Sequence, residues 1–148
     1  MSTTTAHSTT LSTTTQRAAY GVLGGIAGGM VFGMLMAMMD MIVMVAELVG
    51  SSSAAVGWLV HLASSAFIGA SFAVLLGSRA TTLLPAALLG MGYGVVWWLL
   101  GALLIMPAQL GMPVFELDTT AWQSLMGHLM FGLVLGGVFA LLLRRDND

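Results

Sequence analysis

The chain has no cysteine and no lysine. Without cysteine, disulfides, thiolate metal sites and thiol nucleophiles are excluded. Charge of either sign is scarce: four arginines and six acids make up 7% of the 148 residues, against about 25% in a soluble domain. So thin a basic complement offers a nucleic-acid backbone nothing to grip, and no nucleic-acid partner is expected. Nor is there an HExxH motif, a phosphate-binding glycine loop or a nucleophile–base pair, so the chain is not expected to be an enzyme.

What remains is apolar. Apolar residues account for 58% of the chain, and the mean hydropathy is +0.98. Four apolar runs have cores at 20–43, 57–77, 83–105 and 122–143, each near the roughly 20 residues that a bilayer-spanning helix needs. The fold class that follows is an all-α membrane protein with four transmembrane helices, multi-pass in the lipid bilayer of the cell (plasma) membrane.

The chain also resembles itself. Residues 29–50 open with GMVFG and end at Gly50, and residues 90–111 open with GMGYG and end at Gly111, 61 positions on. His61-Leu62 leads a segment with Gly69, Phe72, Ala73, Leu75 and Leu76. His128-Leu129 leads another with Gly136, Phe139, Ala140, Leu142 and Leu143, 67 positions on. Two apolar segments per copy describe a duplicated helical hairpin. The expected organisation is a disordered Ser/Thr-rich tail at 1–16, a first hairpin at 17–79, a second at 80–145 and a short tail at 146–148.

Arg17, Arg79, Arg144 and Arg145 fall on one side of a four-span arrangement. The positive-inside rule makes that side cytoplasmic, with both termini inside. The two hairpins then run in the same sense, as a parallel repeat about an axis along the membrane normal. Asp40, Glu47, Glu116 and Asp118 fall at or near the opposite face.

Small residues recur every fourth position: Gly21, Gly25, Gly29 and Gly33 in the first span, Ser65, Gly69 and Ala73 in the second, Gly90 and Gly94 in the third, Gly132 and Gly136 in the fourth. Such ridges let helix backbones approach closely where lipid removes the hydrophobic incentive to associate. They are expected to form the inner seams, and to favour self-association into a homo-oligomer or docking on a membrane-complex partner.

His61 and His128 occupy equivalent positions, each four residues before a ridge residue, so both are expected to face inward. Asp40 stands seven residues after Gly33, again on the ridge face. At 1.5 Å per residue, Asp40 lies about 30 Å along its span and His61 about 6 Å below the opposite surface, which puts them at similar depth. Polar groups facing a bundle interior are functional-site candidates, although near an interface they can also simply hydrogen-bond across a seam. Two histidines on different helices could ligate a b-type haem axially. Thirteen methionines include a stripe of Met30, Met34, Met38 and Met41 beside Asp40, and thioethers select soft metals such as Cu(I), although methionine is also a flexible packing filler. A path for protons or a small solute through Asp40 and the histidines would need an oligomer, because the inner halves of the helices are wholly apolar.

The segment His128-Leu129-Met130-Phe131-Gly132-Leu133-Val134-Leu135-Gly136-Gly137-Val138-Phe139 resembles the last-helix signature HLxYGxxLGxxY of small four-helix membrane proteins of archaea and bacteria. The resemblance implies four spans and no particular activity. Phe131 and Phe139 stand where those proteins often have tyrosine, which removes two hydroxyls. The role expected from the whole is an accessory or scaffold component of the membrane. A ligand-binding bundle using His61 and His128 and an oligomeric conductor stand as alternatives.

Overall fold

The computed structural model describes residues 4–146, with side chains from Thr13 onward. It is all-helical: α1 (Thr4–Met38), α2 (Ile42–Glu47), α3 (Ala54–Leu76), α4 (Leu83–Trp97), a π-helical segment (Trp98–Ile105), α5 (Met106–Leu110) and α6 (Thr119–Arg145). Four stretches are long and apolar enough to cross a membrane: Thr13–Met38, Ala54–Leu76, Leu83–Leu110 and Thr119–Arg145. The third combines α4, the π segment and α5 end to end. α1 takes in most of the Ser/Thr-rich segment for which composition predicts disorder. Extending an existing helix costs far less than nucleating one, so the apolar span carries the helix back toward its N-terminus.

The first span ends earlier than its apolar run does. Asp40 adopts a left-handed conformation, with φ of 55°. The Met41 N–H donates to the Met36 carbonyl at 2.8 Å and the Asp40 N–H to that of Ala37 at 3.3 Å, the bonds of a Schellman motif with Asp40 as its left-handed residue. A short polar side chain tolerates that conformation where Met or Val would not. The chain then turns into α2, which buries Ile42, Val45 and Ala46. A Cβ on Gly57 of α3 would fall on the Ile42 carbonyl.

The third span departs from α-geometry around Pro107. A proline donates no N–H, so the carbonyl of Leu103, four residues earlier, loses its helical partner. That carbonyl instead accepts from the Phe115 N–H at 2.8 Å, drawing the 111–118 connection back onto the helix. Upstream the turns widen into the π segment, as helices do when the regular ladder is interrupted. Asp118 then caps α6, its carboxylate accepting from the Ala121 N–H at 2.7 Å.

The first and second spans pack backbone to backbone, as do the third and fourth. A Cβ on Gly25 would fall on the Ser65 carbonyl, one on Gly69 on that of Gly21, and one on Gly29 on the Ser65 side chain. In the second pair, a Cβ on Gly90 would fall on the Gly132 carbonyl, one on Gly94 on that of His128, and one on Gly136 on that of Ala86. Gly29 and Ser65 touch, and so do Gly90 and Gly132, which stand 61 and 67 positions on. The same shifts carry the touching couple Gly33 and His61 onto Gly94 and His128.

Between the pairs, the two available interfaces differ. α1 meets α6 closely: a Cβ on Gly24 would lie 2.8 Å from the Leu135 carbonyl oxygen and one on Gly28 2.6 Å from that of Phe131, while Gly127 is covered by the Phe32 ring. The opposite interface, α3 with α4, is held by longer side chains. Ser71 Oγ and Tyr93 Oη hydrogen-bond at 2.8 Å, and Phe67 meets Trp97 edge-on with centroids 6.2 Å apart. The residues at the shifted positions differ. Gly24 and Gly28 become Pro85 and Leu89 at 61 positions on, and Gly127 becomes Val60 at 67 positions back. Side chains bridge α3 and α4 where glycines draw α1 and α6 together, so the two interfaces are unlike.

Candidate intramembrane cavity

The cavity has a volume of about 250 Å³ and lies between the second and third spans, toward the end of the bundle that carries Asp40, Glu116 and Asp118. α1 supplies Phe32 and Met36; α3 supplies Val60, His61, Ser64, Ser65 and Ile68; the third span supplies Trp97, Gly101, Ala102, Ile105 and Met106; α6 supplies Ser124, His128 and Phe131. Met41, Val45 and Leu48 close it from the α2 side. Its lining is mostly apolar, with a few polar groups convergent on it, which is the composition of small-molecule sites.

His61 and His128 both line this cavity, and both abut Phe32. The Phe32 ring meets His61 edge-on at a centroid distance of 5.4 Å and His128 at 4.7 Å. His61 is buried, and its Nε2 lies 2.9 Å from the Gly29 carbonyl oxygen of α1. A carbonyl only accepts, so Nε2 carries the proton and Nδ1 keeps a lone pair. Ser65 Oγ donates to the His61 carbonyl, one turn earlier on the same helix, at 2.7 Å. His128 does not reproduce this bond. Its Nδ1 donates to the Ser124 carbonyl on its own helix at 2.8 Å, leaving the Nε2 lone pair.

Axial haem ligation does not fit this arrangement. A porphyrin would have to lie between two imidazoles that face each other across its iron, and here Phe32 packs against both rings.

The methionine set around Asp40 does not assemble either. Asp40 is exposed at the turn, because its left-handed conformation ends α1 before the ridge reaches it. Met34 and Met38 point away from the bundle at 54% and 82% exposure, whereas Met41 lines the cavity. Among the described residues no group of three or more His, Cys, Asp or Glu side chains is placed to hold a metal ion. Asp40 therefore shares neither the face nor the cavity of the histidines.

One polar group of the site has no signal in the sequence. Trp97 lines the cavity and its indole N–H is buried without a hydrogen-bond partner in the protein. The adjacent Trp98 is satisfied, donating from Nε1 to the Ala121 carbonyl at 3.0 Å. Two consecutive tryptophans read alike in sequence, and only the cavity distinguishes them. Buried unpaired donors are rare in folded proteins and call for an explanation.

The helices define a multi-pass membrane protein built on a four-span helical bundle. No protein-family model, curated protein or solved structure shows a significant similarity to the chain.

Proposed function

We propose that this protein binds a compact, largely apolar molecule within the membrane, in the cavity between its second and third spans. The composition of the cavity carries the reading: a mostly apolar wall on which the imidazoles of His61 and His128 converge is that of a small-molecule site. The lone pairs left on His61 and His128 would accept from a ligand hydroxyl. The volume of about 250 Å³ exceeds the roughly 150 Å³ of an engineered apolar cavity that admits benzene. A two-ring phenol or alcohol is of the right size.

The paired contacts at shifts of 61 and 67 positions support an origin by hairpin duplication. The arginine-bearing end faces the cytoplasm in this reading, by the positive-inside rule, which opens the cavity toward the outer half of the bilayer. An accessory or scaffold role draws less support. The ridge glycines Gly25, Gly29, Gly33, Gly69, Gly90, Gly94, Gly132 and Gly136 are buried against helices of the same chain, leaving those seams no face for a partner.

The test uses 2-naphthol as probe and thermal unfolding of the full chain in detergent as readout. A Cβ on Gly101 would meet nothing within 4 Å, so Gly101→Phe can fill the cavity from the π segment without displacing backbone. Saturating 2-naphthol should raise the Tm of the native protein and leave that of Gly101→Phe unchanged. Equal shifts in both, or none in the native protein, would refute the proposal.

A further inference from the structure

A second, smaller cavity of about 140 Å³ lies beside the first, at the end of the bundle away from the arginines. Its wall includes four methionines from separate parts of the chain: Met41 in the turn before α2, Met44 on α2, Met106 at the start of α5 and Met112 in the connection after it. Glu116 and Asp118 also line it. We propose that this vestibule binds a soft monovalent cation, Cu(I) or Ag(I), through the thioethers of Met41, Met44, Met106 and Met112.

Packing alone accounts poorly for this set. Met41 and Met106 also pack against the hydrophobic core, as filler does, but all four methionines border a space that is open. Met112 is 48% exposed in an irregular connection, where filler has nothing to fill. The donor set is selective by chemistry: thioethers take soft d¹⁰ cations and are poor ligands for Mg²⁺, Ca²⁺ or Zn²⁺. Among the described residues no group of three or more His, Asp or Glu side chains is placed to hold one of the harder ions. Glu116 and Asp118 instead supply negative potential at the mouth. All four arginines of the chain lie toward the other end, so no fixed cation opposes entry. Met41, Ala102, Met106 and Ser124 line both cavities, so an ion in the vestibule borders the chamber that holds the unshared ring nitrogens of His61 and His128.

The experiment is calorimetric titration of Ag(I) nitrate into the full chain in detergent, in chloride-free buffer. Two double variants are compared, Met44→Leu with Met112→Leu and Met34→Leu with Met38→Leu. Leucine preserves volume closely enough to keep either fold intact, and neither Met44 nor Met112 lines the larger cavity, so 2-naphthol stabilisation serves as an internal check on folding. The native protein should bind one Ag(I), the vestibule variant about tenfold or more weakly, and the Met34/Met38 variant as the native protein does; Zn(II) should give no heat of binding. Absence of Ag(I) binding, or equal loss in both variants, would overturn the vestibule site. Neither outcome bears on the apolar cavity, which 2-naphthol reports separately.

Discussion

His61 donates from Nε2 to the carbonyl oxygen of Gly29 across 2.9 Å, joining the second span to the first. The bond exists because Gly29 has no side chain; a Cβ there would land on Ser65. One close approach thus holds a polar side chain at the edge of an apolar cavity. A cross-helix bond of this kind contributes about 1 kcal/mol. His61→Phe should therefore destabilise the protein more than His128→Phe, because the His128 ring bond returns to its own helix. Thermal unfolding of both variants in detergent reads the difference, and equal losses would mean that the Gly29 bond does not tie the spans together.

Gly29→Leu should cost about 1–3 kcal/mol through overpacking at the α1–α3 seam. Gly137→Leu is the matched control, since a Cβ at Gly137 meets nothing within 4 Å. Denaturation in detergent should show a large loss for the first and little for the second. An unchanged Gly29→Leu would place that ridge against lipid.

Pro107→Ala restores an N–H that competes for the Leu103 carbonyl now taken by Phe115. The π segment should tighten toward α-geometry and the 111–118 connection should loosen. Amide hydrogen exchange at Phe115 should become faster while the core of α6 is unaffected. Unaltered exchange at Phe115 would show that the proline does not direct the loop onto the helix.

For orientation, reporter fusions at residues 53 and 115 should be extracytoplasmic and one at residue 80 cytoplasmic, following the arginines. A cytoplasmic residue 115 would invert the protein and open the cavity to the inner leaflet.

Much of the architecture was legible in the sequence. Uninterrupted apolar runs between sparse charges locate the four spans, because a bilayer penalises anything else. The spacing of Gly29, Gly90 and Gly132 reveals faces that lie in seams, since helical period projects directly onto space. The ends of helices were harder. Apolar residues continue on both sides of Asp40, and the left-handed backbone at Asp40 ends α1 there. The π segment depends on a bond from Phe115 to Leu103, twelve residues apart, which no local pattern contains. The cavity was not legible, because its wall is drawn from all four spans and the α2 side, which no local pattern brings together. Nor do the matching positions distinguish the two interfaces: Pro85, Leu89 and Val60 stand where equivalence with Gly24, Gly28 and Gly127 would put glycine.

The most direct measurement is the location of a bound ligand. Intermolecular NOEs between the ring protons of 2-naphthol and methyl-labelled protein in detergent identify the groups that surround it. Contacts should appear to the Ile68 δ methyl and the Met36 and Met41 ε methyls, which line the cavity, and should vanish in Gly101→Phe. Contacts confined to Met34 and Met38, on the exposed face, would mean that the molecule resides in detergent and that the space between the second and third spans is not a binding site.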